Sequence, residues 1–115
     1  MSHQEISLAR VLDSVQEEVA ALARMSDELQ DSLSRVLGSA ALSSEDLLAV
    51  QNLDLITQHL GALATYVKQL SRQVPDAWAV RPELAAATLT LSGLAQRLSF
   101  RPPEAVDEGD DPVLF

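Results

Sequence analysis

The stretch QNLDLITQHLG, residues 51–61, places three chemically capable side chains on one helical segment: Asp54, Gln58 and His59. Asp54 and Gln58 stand at the i,i+4 spacing, so on a helix they lie side by side. A carboxylate beside an amide can hold a cation and orient a water for attack on a phosphorylated group. His59 could instead carry a phosphoryl group on its ring. The bland alternative is a solvated helix face with no chemistry. Gly61 and Thr65 come next on the Asp54–Gln58 flank. A mid-helix glycine costs about 1 kcal/mol against alanine, which suggests that something approaches the backbone there.

These residues need long helices to position them. The 115-residue chain suits one domain, and it is rich in Leu and Ala, with 3% aromatics and four glycines. That composition predicts an all-α fold and leaves no place for a β-core. With no cysteine, a disulfide framework and a Cys-based zinc site are excluded, and the pattern agrees with a reducing compartment. No N-terminal stretch resembles a signal peptide and no apolar run has the length to span a bilayer, so a soluble, cytoplasmic protein without membrane contact is expected.

Seventeen carboxylates against eight Lys and Arg give a net charge of −9. The last twelve residues hold five of these acids and no base, leaving −4 on the rest. Nucleic acid requires a basic face and is disfavoured as a partner. An electropositive protein surface suits this chain better.

The pattern along the chain predicts a hairpin. SHQE at residues 2–5 has the form of a capping box, so the first helix is expected to begin there and to stop at Gly38. Its apolar residues Leu8, Leu12, Val15, Val19, Leu22, Leu29, Leu33 and Val36 recur at four and three, with a gap at Ser26. That is a heptad seam. SSED at residues 43–46 starts the second helix, whose seam reads Leu53, Ile56, Leu60, Leu63, Val67, Leu70 and Val74 before Pro75 ends it. Two antiparallel helices of roughly 30 residues, each about 45–50 Å long, are expected.

Beyond Pro75, the segment PDAWAVRP is expected to turn and fold Trp78 against the bundle. Pro82 suits the first position of a shorter third helix, striped by Leu84, Ala87, Leu91, Leu94 and Leu98. Residues 1–99 form the helical domain in this reading. Residues 100–115 form an acidic tail ending in the apolar Val113, Leu114 and Phe115. A hairpin is too thin to bury its own seams, so a homodimer closing a four-helix bundle is expected, with a monomeric three-helix bundle as its rival.

The string DLITQ on the second helix of an acidic helical hairpin resembles the D-x-x-x-Q signature of the CheZ chemotaxis phosphatases, including their small alphaproteobacterial CheT-type members. The family string reads DLTGQ, and Ile56 and Thr57 stand at its third and fourth places. The resemblance implies a partner, a phosphorylated CheY-like response regulator, whose aspartyl phosphate is hydrolysed. Gln58 would orient the attacking water and Asp54 would anchor the receiver's active-site lysine, with Gly61 and Thr65 on the contact face. It also implies that Val113, Leu114 and Phe115 dock on the receiver. Mg²⁺ would reside in the receiver, and no metal or cofactor of its own is expected.

Two other readings stay open. Histidine-phosphotransfer domains are acidic, helical and of this length, and HLGAL at residues 59–63 could present His59 to a receiver. Their usual His-x-Leu-Lys-Gly order is absent, since no lysine lies between His59 and Lys68. The second alternative is a non-catalytic helical adaptor or chaperone, for which the heptads would look the same.

Overall fold

The computed structural model describes residues 5–38 and 43–100. The fold is all-α: two long helices pack against one another, followed by short helical segments. In order these are β1 (Ile6–Ser7), α1 (Leu8–Leu37), α2 (Ser44–Ser71), β2 (Ala79–Val80), α3 (Pro82–Ala86) and α4 (Ser92–Ser99). The tail, including Val113, Leu114 and Phe115, lies outside the described residues, as does most of the SHQE box.

Helix α1 starts later than the capping box suggested. Ser7 caps it, its Oγ accepting the Arg10 N–H at 3.2 Å. The residues just before cannot be helical because they pair as a strand: Ile6 opposes Val80, Ser7 opposes Ala79, and the Leu8 N–H donates to the Trp78 carbonyl at 2.8 Å. The second cap is where the sequence placed it, with Ser43 Oγ accepting the Asp46 N–H at 3.0 Å. Such caps each stabilise a helix by about 1 kcal/mol. Glu45 and Asp46 add favourable charge in the first turn of α2.

The chain divides into two compact units, Val15–Gln69 and Met1–Ser14 with Leu70–Phe115. In the first, the rows that α1 and α2 turn toward each other keep half of the heptad seam read from the sequence (Val19 and Leu33, and Leu53, Leu60 and Val67) and replace the other half by the residues beside it. Leu22, Leu29, Val36, Ile56 and Leu63 are all exposed, Val36 at 73%. The facing rows are Val19, Ala23, Ser26, Gln30 and Leu33 on α1, and Leu53, Thr57, Leu60, Ala64 and Val67 on α2, half-buried or better. Small residues decide this choice. Ala23, Ser26 and Ala64 let the helices approach, while the branched side chains one position away turn outward. Ser26 is therefore no gap, because its hydroxyl meets the Thr57 hydroxyl at 2.5 Å across the hairpin.

In the second unit, α2 ends at Ser71, four residues ahead of Pro75, so Val74 falls in a turn and not in a helical seam. Ser71 is buried and donates to Asp13 Oδ1 at 2.7 Å. The Gln73 N–H bonds back to the Leu70 carbonyl as the chain tightens before the proline. Trp78 is not the plug expected of it: the residue is 56% exposed, and its backbone carbonyl accepts the Leu8 N–H. Ile6, at 5% exposure, is the large apolar side chain that this unit buries.

Pro82 does open α3, at the first-turn position. The expected single third helix, however, breaks in two. The Thr88 hydroxyl and N–H both donate to the Ala85 carbonyl, and the Leu89 N–H donates to Ala86, closing a tight turn before the extended Leu91. Competing hydroxyl-to-backbone bonds of this kind interrupt helices. Phe100 ends α4 in the left-handed region, φ 59° and ψ 23°, with the Arg10 guanidinium 5.3 Å over its ring.

The two described glycines of the hairpin helices and their loop respond oppositely to a methyl group. A Cβ on Gly38 would sit 2.8 Å from the Ser34 carbonyl oxygen, whereas one on Gly61 meets nothing within 4 Å. Gly61→Ala should raise thermal stability by about 1 kcal/mol, the helix-propensity difference. Gly38→Ala should lower it by about the same amount, because backbone must move. Thermal melts followed by circular dichroism check both signs.

Candidate functional site

The site residues follow from the helical repeat. At about 100° per residue, Asp54, Gln58, Gly61 and Thr65 form one flank of α2, roughly a quarter-turn from the row that faces α1. Ile56 and Leu63 lie on the opposite flank, and Leu48, Leu55 and Tyr66 on the far side. The structure thus brings Asp54 and Gln58 together as expected: Gln58 Nε2 donates to Asp54 Oδ2 at 2.8 Å, and both are exposed. Thr65 lies further along, its hydroxyl donating to the Gly61 carbonyl at 3.1 Å. The absent side chain of Gly61 leaves open space beside the pair.

Helix α1 contributes a residue that spacing along the sequence did not suggest. Gln30 Nε2 donates to Asp54 Oδ1 at 3.2 Å, so each oxygen of the carboxylate accepts from a different amide. The signal was present only as polar residues in an apolar row. Ser26 and Gln30 lie one turn apart on α1, facing Thr57 and Asp54, which lie three apart on α2. Thr57 is itself fixed by donation to the Leu53 carbonyl at 2.9 Å. Asp27, one turn before Gln30, adds exposed negative charge on α1.

The Gln30–Asp54 bond also identifies which flanks coincide. Gln30 and Asp54 share one side of the hairpin, so the outward apolar residues of α1 (Leu22, Met25, Leu29) fall on the other side with Ile56 and Leu63. The Asp54 side is mainly polar, apart from Leu47 in the first turn of α2, and the other side carries most of the exposed apolar residues. His59 does not join the polar site. It belongs to the outward stripe of α2, between Leu55 and Tyr66, with Nδ1 held 2.8 Å from the Leu55 carbonyl.

Chemically, the polar side offers a carboxylate and an amide at the surface, with a second amide at the carboxylate's back. It can bind a cation and present an amide to a water or phosphoryl oxygen. Among the described residues, no group of three or more His, Asp or Glu could hold a metal. A concave space of about 500 Å³ between α3 and α4 has Glu83, Leu84, Ala86, Leu89 and Ala95 among its lining residues. It assembles no acid–base or nucleophilic set. No described helix is long and apolar enough to cross a membrane.

If the Asp54–Gln58 pair exists for a partner and not for the fold, removing it should cost little stability. Exposed i,i+4 pairs contribute about 0.2–0.5 kcal/mol. Asp54→Ala and Gln58→Ala should each unfold within about 0.5 kcal/mol of the parent by the same helicity measurement. A loss several times larger would mark the pair as a structural clasp.

No curated protein and no solved structure matches the chain. A family model does match, over residues 4–114 and so across nearly the whole length: the chain belongs to the DUF8776 family, a domain of unknown function.

Proposed function

We propose that this protein binds a phosphorylated CheY-like response regulator in the cytoplasm and promotes hydrolysis of its aspartyl phosphate. The observation that carries the reading is the exposed Asp54–Gln58 pair, its two side chains in contact at 2.8 Å and open to an approaching protein at Gly61. In the proposed complex Asp54 meets the receiver's lysine as a charge-assisted pair, and Gln58 reaches the phosphoryl group. The Gln58 amide orients a water in line with the scissile P–O bond. The water oxygen bonds to phosphorus, the bond to the aspartyl oxygen breaks, and inorganic phosphate leaves. Mg²⁺ belongs to the receiver. Nothing in this scheme asks for a shifted pKa or a nucleophile on the present chain. The acidic tail would steer toward a basic receiver face, with Val113, Leu114 and Phe115 as an apolar anchor.

The assay is loss of phosphate from a phosphorylated receiver with Mg²⁺. Gln58→Ala should slow the catalysed rate on the order of 100-fold with binding largely kept, as for loss of one well-placed polar group in a transition state. Asp54→Ala should weaken both. Deleting residues 104–115 should raise the half-saturating receiver concentration. His59→Gln should leave activity near the parent's, and no phosphate should become covalently attached to the protein. Label appearing on His59 would replace this reading with phosphotransfer, and a Gln58→Ala variant as active as the parent would leave the adaptor reading.

The same proposal includes a homodimer. Six large apolar residues exposed in the single chain, Leu22, Met25, Leu29, Val36, Ile56 and Leu63, fall on one side of the hairpin, from Leu22 at 37% to Val36 at 73%. A contiguous apolar stripe of this kind, as opposed to singly scattered apolar residues, marks an interaction surface. Pairing two hairpins through the Leu29–Leu63 side makes a four-helix bundle and leaves each Asp54–Gln58 pair facing water. Light scattering should then report twice the 12.4 kDa chain mass. Leu63→Asp should split the dimer while keeping hairpin helicity, since Leu63 is 51% exposed in one chain. A parent that scatters as a 12.4 kDa monomer at micromolar concentration would remove the dimer.

A further inference from the structure

Asp54 is held from two helices, and only one of its partners has a role in the reaction proposed above. Gln58 reaches Oδ2 from one turn along α2; Gln30 reaches Oδ1 at 3.2 Å from α1, across 24 residues of sequence. An exposed aspartate held by one i,i+4 contact keeps freedom about both side-chain torsions. A donor on each oxygen removes that freedom, because the plane of the carboxylate must then contain both directions. Each oxygen still has a lone pair to spare for an incoming cation. Gln30 itself is half-buried on the α1 row that faces α2, and so is better fixed than a surface glutamine. The Ser26–Thr57 hydroxyl contact, one turn away on α1, holds the register that delivers Gln30 to Asp54.

We propose that Gln30 is a positioning residue for this site: acting through Asp54, it sets the orientation in which the carboxylate meets the partner's ammonium group. The inference rests on the phosphatase reading for its function, though the contact itself does not. Gln30 touches neither water nor phosphate. Its loss leaves the carboxylate in place but less well oriented, and leaves Gln58 and the water it orients untouched, so it should appear chiefly in binding.

Gln30→Met is the informative substitution, because it keeps the length and packing of the side chain and removes the amide. With a phosphorylated receiver as substrate, KM should rise on the order of fivefold while kcat stays within about twofold. In an Asp54→Ala background the same change should have no further effect on KM, since the residue through which it acts is gone. A role limited to helix packing would instead give effects that multiply, accompanied by a lower thermal midpoint. A second measurement needs neither substitution of Gln30 nor a receiver: in the free protein, the Gln30 side-chain NH₂ signal in a ¹⁵N–¹H spectrum should move on Asp54→Ala. An unmoved signal, a Gln30→Met variant indistinguishable from an active parent, or multiplicative effects would each overturn the assignment to Gln30 alone. A parent inactive toward every receiver tested would overturn the phosphatase reading together with it.

Discussion

Two helices can hide from water only the rows that they turn toward each other, and here each helix carries more apolar surface than one row. That constraint organises the hairpin. The narrow rows, small at Ala23, Ser26 and Ala64, go inward, where close approach gains dispersion contacts over their length. The bulky residues Leu22, Leu29, Ile56 and Leu63 go outward on one side. What remains, on the other side, is polar by default. The candidate site lies there because it is the side on which carboxylates and amides cost nothing to hydrate.

The hydroxyl pair at the middle of the inward rows has a second effect. Aliphatic rows alone tolerate sliding by a turn, since one leucine replaces another at little cost. Ser26 against Thr57 does not, because displacement would leave half-buried hydroxyls to find new partners. A register specified at that point carries over one turn to Gln30 and Asp54. The site is thus built without a cleft: its geometry comes from helix pitch on one side and helix register on the other. In the proposed reading, the partner would supply the enclosing walls that this open surface lacks.

Much of this was legible in the sequence where the signal is local. The Ser43 cap, the stop at Gly38, Pro82 at a helix start and the Asp54–Gln58 adjacency each depend on residues within four of one another, and each is found in place. Most of the misses share a cause, which is competition between distant segments. The start of α1 moved because residues 6 and 7 pair with residues 79 and 80. Half of each seam gave way to its neighbours because an apolar stripe wider than one heptad row fits two readings, and only the opposing helix selects between them. Gln30 stayed invisible for the same reason, lying 24 positions from the carboxylate that it holds. The break after α3 was local, yet it turns on which acceptor Thr88 bonds, and composition does not express that.

His59 illustrates how the same wheel assigns opposite roles to neighbours. It follows Gln58 directly, yet one residue is about 100° of helix, enough to carry it from the polar flank into the outward stripe with Leu55 and Tyr66. Its Nδ1 is turned back on the Leu55 carbonyl, which leaves Nε2 as the ring's outward polar atom. A phosphate-carrying histidine must be reached by a receiver, and a receiver docked on Asp54 and Gln58 approaches from a different direction. The two chemistries suggested by adjacent letters thus require different faces of one helix. A second copy on the Leu29–Leu63 side, as proposed, would leave the Asp54 face open, so that dimerisation and the proposed action on a receiver would use separate surfaces of the hairpin.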